Sequence, residues 1–541
     1  MGVRDLLFIG LVLGGAAGLA ASLYPPRLDA RSSVPPRKVA ADDGLGDTVR
    51  RVNAAFRDRW TREGLTVAAP AAETTVLRRL ALGMTGSIPS LEELRRLETT
   101  PEGRRADLYS AALLDDRRFA DYFAERLARS YVGTEGGPFL IYRRRRFISW
   151  LSDQIVEARP YDAIVRDLIA SDGIWTDRPA VNFLTVTYDP EKKYVDPERV
   201  AGRVARAFLG VRIDCAQCHD HPFAPWKQND FQGLAAFFGR VTSGPRGIYE
   251  ERGAYEVADR KTGKPKTYEP RVPFLPELLS EDVKVPRRQR LARWITDPRN
   301  PNLARATVNR LWALMFGRPL VEPVDDLAAA DEIPEPLTIL ADDFKTHGYN
   351  LRRLLRAIVA TEAFRLDSAL SDGTPSAAAE AAEKGWASYP MTRLRPEQVV
   401  GSVFQSTAFS TIDNDSPFFV RFFSSVGQNQ FVQRYGDSGE DEFDGRGGTI
   451  PQRLLLMNGE LVRDRTKPDF MHSPARIGYF AATDRAAVEV AYLTSLTRKP
   501  TPVELSHFEA KLAGSRGDQR SKSVSDIVWT LINSTEFSWN H

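Results

Sequence analysis

Both cysteines of the chain fall in one pentapeptide, Cys215-Ala216-Gln217-Cys218-His219. Two thiols at this spacing can each form a thioether to one vinyl group of a single haem, and the adjacent imidazole then reaches the iron as the proximal ligand. The same residues admit two other chemistries. A Cys-x-x-Cys pair can be a disulfide or redox pair. With His219 and His221 it also offers two sulfurs and two nitrogens to zinc or another transition metal. Four donors so close in sequence crowd one ion, and zinc sites usually draw their second pair from farther along the chain. Covalent haem c is the first expectation; zinc, another transition metal, or no cofactor are the alternatives.

The flanking residues suit a haem pocket. Phe223 and Trp226 offer planar apolar surface beside Pro222 and Pro225, although each of Phe223, Trp226, Phe237 and Phe238 taken alone is better suited to a core. His221 is too near His219 to reach the opposite axial position and is expected to bond a carboxylate or a backbone group. A distal ligand would come from His472, in a loop before Pro474, or from His541. His347 reads as a helix C-terminal residue favoured by the helix dipole, and His507 as a surface residue. In the run Arg143-Arg144-Arg145-Arg146, helical spacing puts Arg144 on the face of Leu140, Phe147 and Trp150-Leu151. It therefore needs an anion, either a haem propionate or an Asp or Glu. No catalytic residue is assigned. The sequence contains no P-loop, G-x-G-x-x-G, H-E-x-x-H or G-x-S-x-G motif.

The elements that must hold this motif are mostly helical. Val49, Val52, Phe56 and Trp60 recur at spacings of three and four, as do Leu77, Leu80 and Met84. Ser90, followed by Glu92 and Glu93, predicts a capped start. A further amphipathic helix is expected over Phe139–Val156. Just before the motif, Asp196-Pro197-Glu198 provides an N-cap, an N1 proline and an early acid, and that helix should run to Leu209 before Gly210. Between Ser243 and Leu275 the periodicity lapses into Gly, Pro, Lys, Arg and Tyr, which predicts a β-hairpin or long loop and a domain boundary. Helical spacing returns over Arg287–Ala313. Leu337–Phe344 and Leu351–Phe364 should form a pair joined at Gly348, and helix is expected again over Arg485–Phe537. Residues 368–384 read as an exposed loop or a poorly packed helix. The acidic stretch in 427–448 reads as a solvated loop, because its acids lack the spacing of a calcium loop.

Residues 6–24 are uncharged and apolar, as in a signal peptide or a membrane anchor, and 25–46 read as a flexible linker. Export agrees with haem c attachment, which takes place on the exported side of the membrane. The chain has 541 residues, 42% hydrophobic and 27% charged, with a net charge of +3. That length suits roughly two to four domains. The charge is too small for a composition-based nucleic-acid assignment. A mean hydropathy of −0.34 excludes a polytopic membrane protein, and two cysteines exclude a disulfide scaffold.

In its surroundings the motif resembles a known family. Leu209-Gly210-Val211-Arg212-Ile213-Asp214 leading into CAQCHDHPFAPW, then Asp230–Phe238, is similar to the domain of unknown function 1549, a planctomycete-type, cytochrome c-associated domain. VLRRLALGMTGSIPSLEEL, from Val76, resembles the opening of the same domain. NPNLARATVNRLWALMFGRPLVEPVDDL, from Asn300, resembles the partner domain of unknown function 1553, as do LRRLLRAIVATEAF and IVWTLINSTEFSWNH. Many relatives carry a separate cytochrome c-like domain that this chain lacks. Here the single motif does any haem chemistry alone, or else serves as a structural C-x-x-C-H-x-H.

The expectation is thus a mainly α protein of two helical domains, 47–242 and 287–541, joined by an irregular or β connector over 243–286. It would be an exported haem c protein in the periplasm or cell envelope, passing electrons to a redox partner or acting as an oxidoreductase of peroxidase-like type. The alternative is a cell-envelope interaction or scaffold protein whose Cys-x-x-Cys-His-x-His cluster is a disulfide or metal staple. Its partners would be proteins rather than nucleic acid, with membrane contact through residues 6–24.

Overall fold

The computed structural model describes residues 44–134, 142–220, 224–258, 263–371, 374–408, 410–413, 416, 432, 443, 449–470 and 472–541. Residues 6–24, the linker up to residue 43, Leu140, His221, Phe223 and most of the acidic stretch in 427–448 lie outside them. No helix among the described residues is long and apolar enough to cross a membrane.

The chain is mainly α. Helix α1 (Leu45–Glu63) buries Val52, Phe56 and Trp60, as its spacing requires. In α2 (Glu73–Thr85) nearly every residue after the first turn is buried, including Arg78 and Arg79. Ser90 and Glu93 form a reciprocal capping box at the start of α3 (Leu91–Glu98). Helices α4 (Arg105–Asp115) and α5 (Arg117–Val132) follow. The next helix, α6, spans Arg144–Val156. It begins later than periodicity alone suggests because the Asn182 side chain accepts from the Arg143 backbone N–H at 2.8 Å, holding Arg143 out of the helix. After α7 (Tyr161–Ala170) comes α8 (Pro197–Val204), capped by Asp196 and continued by a π-helical turn to Leu209. Helix α9 (Gln228–Ala235) follows the cysteine motif.

The connector is two antiparallel hairpins. Strands β3 (Val241–Gly244) and β4 (Gly247–Glu250) extend a sheet begun by β1 (Tyr188–Asp189) and β2 (Tyr194–Val195), in the order β1-β2-β3-β4. Strands β5 (Tyr255–Ala258) and β6 (Pro265–Tyr268) pair separately, with Val257 opposite Lys266. The two-residue strands β1 and β2 are too short to leave an alternating pattern in the sequence.

Beyond the connector, the expected helix over 287–313 is two helices, α10 (Arg287–Ile295) and α11 (Asn302–Phe316). Pro298 and Pro301 lie between them and cannot continue a helical ladder. Helices α12 (Glu335–Thr346) and α13 (Leu351–Val359) turn about Gly348, and a separate short helix at Glu362–Arg365 carries the chain onward. The 368–384 stretch contains α14 (Ser376–Lys384), of which only Ala382 is buried. Helix α15 (Pro396–Ser406) and, farther on, α16 (Ile450–Asn458), α17 (Ser473–Phe480), α18 (Asp484–Leu496), α19 (Pro502–Leu512) and α20 (Gly517–Ile532) form the C-terminal region.

Two apolar clusters organise these elements. The first runs from Val52 to Tyr389, so helices on both sides of the connector bury one another. Phe56 of α1 meets Trp312 of α11 at 5.7 Å, and Trp312 stacks on Phe316 at 4.2 Å. The second gathers residues from Leu394 to Phe537 and borrows Leu82 and Ile88 from the N-terminal part. A last pair of short strands, β7 (Thr392–Arg393) and β8 (Trp539–Asn540), joins the seam.

Candidate functional site

The motif sits at the end of a short extended run that leaves the π-turn after α8. Gly210 makes that exit possible. Its φ is +61°, and a Cβ there would lie 3.1 Å from both Ala306 and Leu327. Only glycine meets both conditions without strain. The run is tied to the region beyond the connector: Leu327 N–H donates to Gly210 O at 2.7 Å, Asn302 Nδ2 to Leu209 O at 3.1 Å, and Arg212 Nε to Asp325 at 2.8 Å. Helices on both sides of the connector thus hold the strand that delivers the cysteines.

Asp214–Gln217 then forms a single 3₁₀ turn, closed by Ala216 N–H on Ile213 O at 2.9 Å. Ala216 points into the core, whereas Cys215, Cys218 and His219 are exposed. Both cysteines are free thiols in the structure. Asp214 is held by Arg206 at 2.9 Å and fits against α8 where Gly202 has no side chain; a Cβ on Gly202 would come within 2.7 Å of its carboxylate.

A carboxylate with two amide partners fixes the turn. Glu198, in the first turn of α8, accepts from Gln217 Nε2 at 2.5 Å and from Gln232 Nε2 at 2.7 Å. Tyr255 donates to Gln232 Oε1 at 3.1 Å, so the second hairpin supports the same network. From the first turn of α9, Gln228 reaches Cys218 O at 3.4 Å, and its backbone N–H is capped by Asp220 at 3.0 Å. None of these partners is visible from spacing, because they lie 8 to 34 positions apart in chain order. Glu198 reads in the sequence only as a helix-capping acid.

His219 has one notable contact. Its Nδ1 lies 2.8 Å from Asp220 O. With a proton on Nδ1 donated to that carbonyl, Nε2 carries the lone pair, the arrangement that orients a metal-ligating histidine. Among the described residues no three His, Cys, Asp or Glu side chains gather as a closed metal site requires. The donor set of two accessible thiols and one oriented imidazole suits the two thioethers and single proximal nitrogen of haem c.

The other sequence-derived candidates are distributed more widely. Trp226 is half-buried beside the motif, 6.2 Å from Phe274, which in turn packs on Trp294 at 5.1 Å. Phe237 and Phe238 are core residues. Arg144 does face inward and does find an anion, but the anion is Glu125 of α5 at 2.7 Å, with Gly133 O as a second acceptor. A haem propionate is therefore not required to satisfy it. His472 precedes α17 in the C-terminal region, and burial together with Arg465 lowers its pKa. His541 lies beside Glu536 and the α2 arginines, where burial lowers its pKa as well. Neither ring is among the partners that hold the cysteine turn. His347 caps α12 by bonding Asp343, and His507 is exposed in mid-helix.

These features define a predominantly helical protein that presents a Cys-x-x-Cys-His turn at its surface, braced from both sides of a hairpin connector. Residues 51–243 match the family model described as PSCyt2, protein of unknown function (DUF1549), and residues 287–420 match PSD1, protein of unknown function (DUF1553). The chain belongs to the proteins that carry these two domains. No curated protein and no solved structure matches it.

Proposed function

We propose that the protein is an exported haem c carrier that passes single electrons to a redox partner in the cell envelope. The observation that carries this reading is the cysteine turn: two free, exposed thiols and an exposed imidazole whose Nδ1 is engaged by Asp220 O. Attachment adds each S–H across one vinyl C=C, forming a carbon–sulfur bond at Cys215 and at Cys218 without net loss of atoms. Haem, once attached, supplies a one-electron couple at the protein surface. The chain's own residues have positional roles. His219 presents Nε2 as the proximal donor, Glu198 and Gln217 hold the turn open, and the half-buried Trp226 provides apolar surface at its edge. His221 and Phe223 lie between the motif and Trp226 in sequence. The exposure of the turn suits direct contact with a partner and requires no substrate channel.

The test is expression of the full chain in a host that matures haem c, followed by a reduced-minus-oxidised visible spectrum and a haem stain after denaturing electrophoresis. Sharp α and β bands with haem retained on the gel are expected, and both should disappear in the double variant Cys215→Ser/Cys218→Ser with the fold intact. A colourless protein from a host that matures a control cytochrome overturns the proposal. Metal analysis and thiol titration of that sample would then identify a metal or disulfide staple in a scaffold protein.

A further inference from the structure

Among the described residues every buried arginine but one has a hydrogen-bond or charge partner. Arg78 and Arg79 donate to backbone carbonyls, and Arg353 donates to Asp343. Arg310 of α11 is only 9% exposed, yet it donates no hydrogen bond and enters no ion pair with any described residue. A buried guanidinium without an acceptor or a counter-ion is costly, because neither water nor protein then compensates its charge. The groups beside it are the hydroxyls of Tyr131, near the end of α5, and Tyr161, at the start of α7, which bond each other at 2.7 Å. The Arg310 charge acts on both. Neither phenol balances that charge as a phenolate, since burial raises both pKa values and keeps both groups neutral at neutral pH. No acidic side chain among the described residues acts on either hydroxyl.

We infer that Arg310 and this tyrosine pair form a binding site for a halide ion, with chloride as its occupant. The donors set the ligand. In a pair of bonded hydroxyls one donates to the other, so the two phenols keep a single O–H for a ligand. Thr307, one turn from Arg310 on α11, is committed to Leu303 O at 2.7 Å. A ligand therefore meets guanidinium N–H groups and one phenolic O–H, with aromatic rings behind them: Phe208 lies 5.2 Å from Tyr131, and Phe344 lies 6.3 Å from Tyr161. A spherical ion of one charge is satisfied by so sparse a set and matches the single positive charge of Arg310. Phosphate or sulfate would bring further charge and leave oxygens unbonded among the rings, at the cost of any buried acceptor without a donor. Acetate matches the charge but has two directional oxygens, so it is the competitor that tests the assignment. The site uses none of the residues that hold the cysteine turn, and it holds or fails independently of the haem reading.

The test is thermal unfolding of the full chain in sodium chloride against sodium gluconate at constant ionic strength, with a titration of chlorine NMR line width on the same sample. Chloride should raise the midpoint of the wild type saturably, as a ligand of the folded state does. Arg310→Met should lose that rise. In gluconate the variant should melt no lower than the wild type, because an unpaired buried charge has been replaced by an apolar chain. The wild type should also broaden the chlorine line, and bromide should reverse the broadening; this readout stands even where the variant does not fold. Equal wild-type midpoints in chloride and gluconate, or the same chloride rise in Arg310→Met, would overturn the proposal. So would a chlorine line that the wild type leaves sharp. Acetate or sulfate acting as strongly as chloride would overturn it too, reporting an unselective anion effect.

Discussion

The cysteine turn and helix α2 treat polar groups in opposite ways. At the turn, Cys215, Cys218 and His219 are exposed, and their setting is fixed by amides gathered on one carboxylate, Glu198. On α2, Arg78 and Arg79 are almost wholly buried. Arg79 donates to the carbonyls of Phe364, Leu366 and His541 at 2.7 to 2.9 Å and lies 3.6 Å over the Tyr389 ring. Arg78 reaches Ser495 O and Phe537 O. Burial draws both guanidinium pKa values down to about 10, which leaves them charged at neutral pH. The difference teaches that buried charge in this molecule marks the joints between distant segments, whereas the groups with reactive chemistry are presented at the surface.

The largest effect should come from breaking a buried charge. Asp343 and Arg353 are 5% and 3% exposed and share two hydrogen bonds of 2.8 and 2.9 Å, with Thr48 donating to the same carboxylate at 2.6 Å. Asp343→Ala leaves Arg353 buried without its carboxylate and should cost about 3–5 kcal/mol in urea unfolding. A loss below about 1 kcal/mol would erase the contrast between the two regions. Glu198→Ala comes next. It removes the common acceptor of Gln217 and Gln232 and should destabilise by about 2 kcal/mol. It should also speed alkylation of Cys218 in the haem-free chain, and Glu198→Gln should fall between wild type and alanine. Unchanged alkylation would show that the turn does not depend on Glu198.

A pH experiment probes a third, more exposed charge. Hydrogen bonds from Arg498 hold the Glu504 carboxylate down to about 2, against the desolvation that opposes them. A folded-state pKa below the unfolded value contributes stability that is present above about 4.5 and lost as pH falls toward about 2. The thermal midpoint should decline across that window, and Arg498→Gln should flatten this part of the decline. An unaltered profile in the variant would assign acid sensitivity elsewhere. The smallest stability effect is expected at the motif itself: Cys215→Ser/Cys218→Ser should change the unfolding free energy of the haem-free chain by no more than about 0.5 kcal/mol, while abolishing haem retention. A larger loss would give the thiol a structural role and move the turn toward the character of α2.

Much of the scaffold was legible because it is periodic or punctuated. The α1 stripe, the Ser90 capping box, the Asp196 cap and the left-handed Gly210 all follow local rules, and each stands where spacing places it. The cysteine turn was legible for the same reason, since all its donors are adjacent in sequence. What holds it was not. Glu198, Gln232, Tyr255 and Asp325 act across sequence gaps that carry no pattern, and their residue types are those of any solvated face. Arg144 illustrates the boundary: periodicity correctly turned it inward, but nothing in the sequence distinguishes Glu125 from any other anion. The helix break at 296–301 was readable from its prolines, yet continuous apolar spacing on either side masked it.

The grip of α2 also has a kinetic side. Arg79 bonds a carbonyl 462 positions later in the chain, and Arg78 one 459 positions later. As the polypeptide is made, α2 emerges hundreds of residues before its acceptors, so these two guanidiniums must stay hydrated, or be sheltered by other proteins, in the interval. Closure over such a span is slow relative to helix formation. The β7–β8 pairing and the arginine clasp should therefore be among the last events of folding, and a chain stalled short of them would expose the seam between its two apolar clusters.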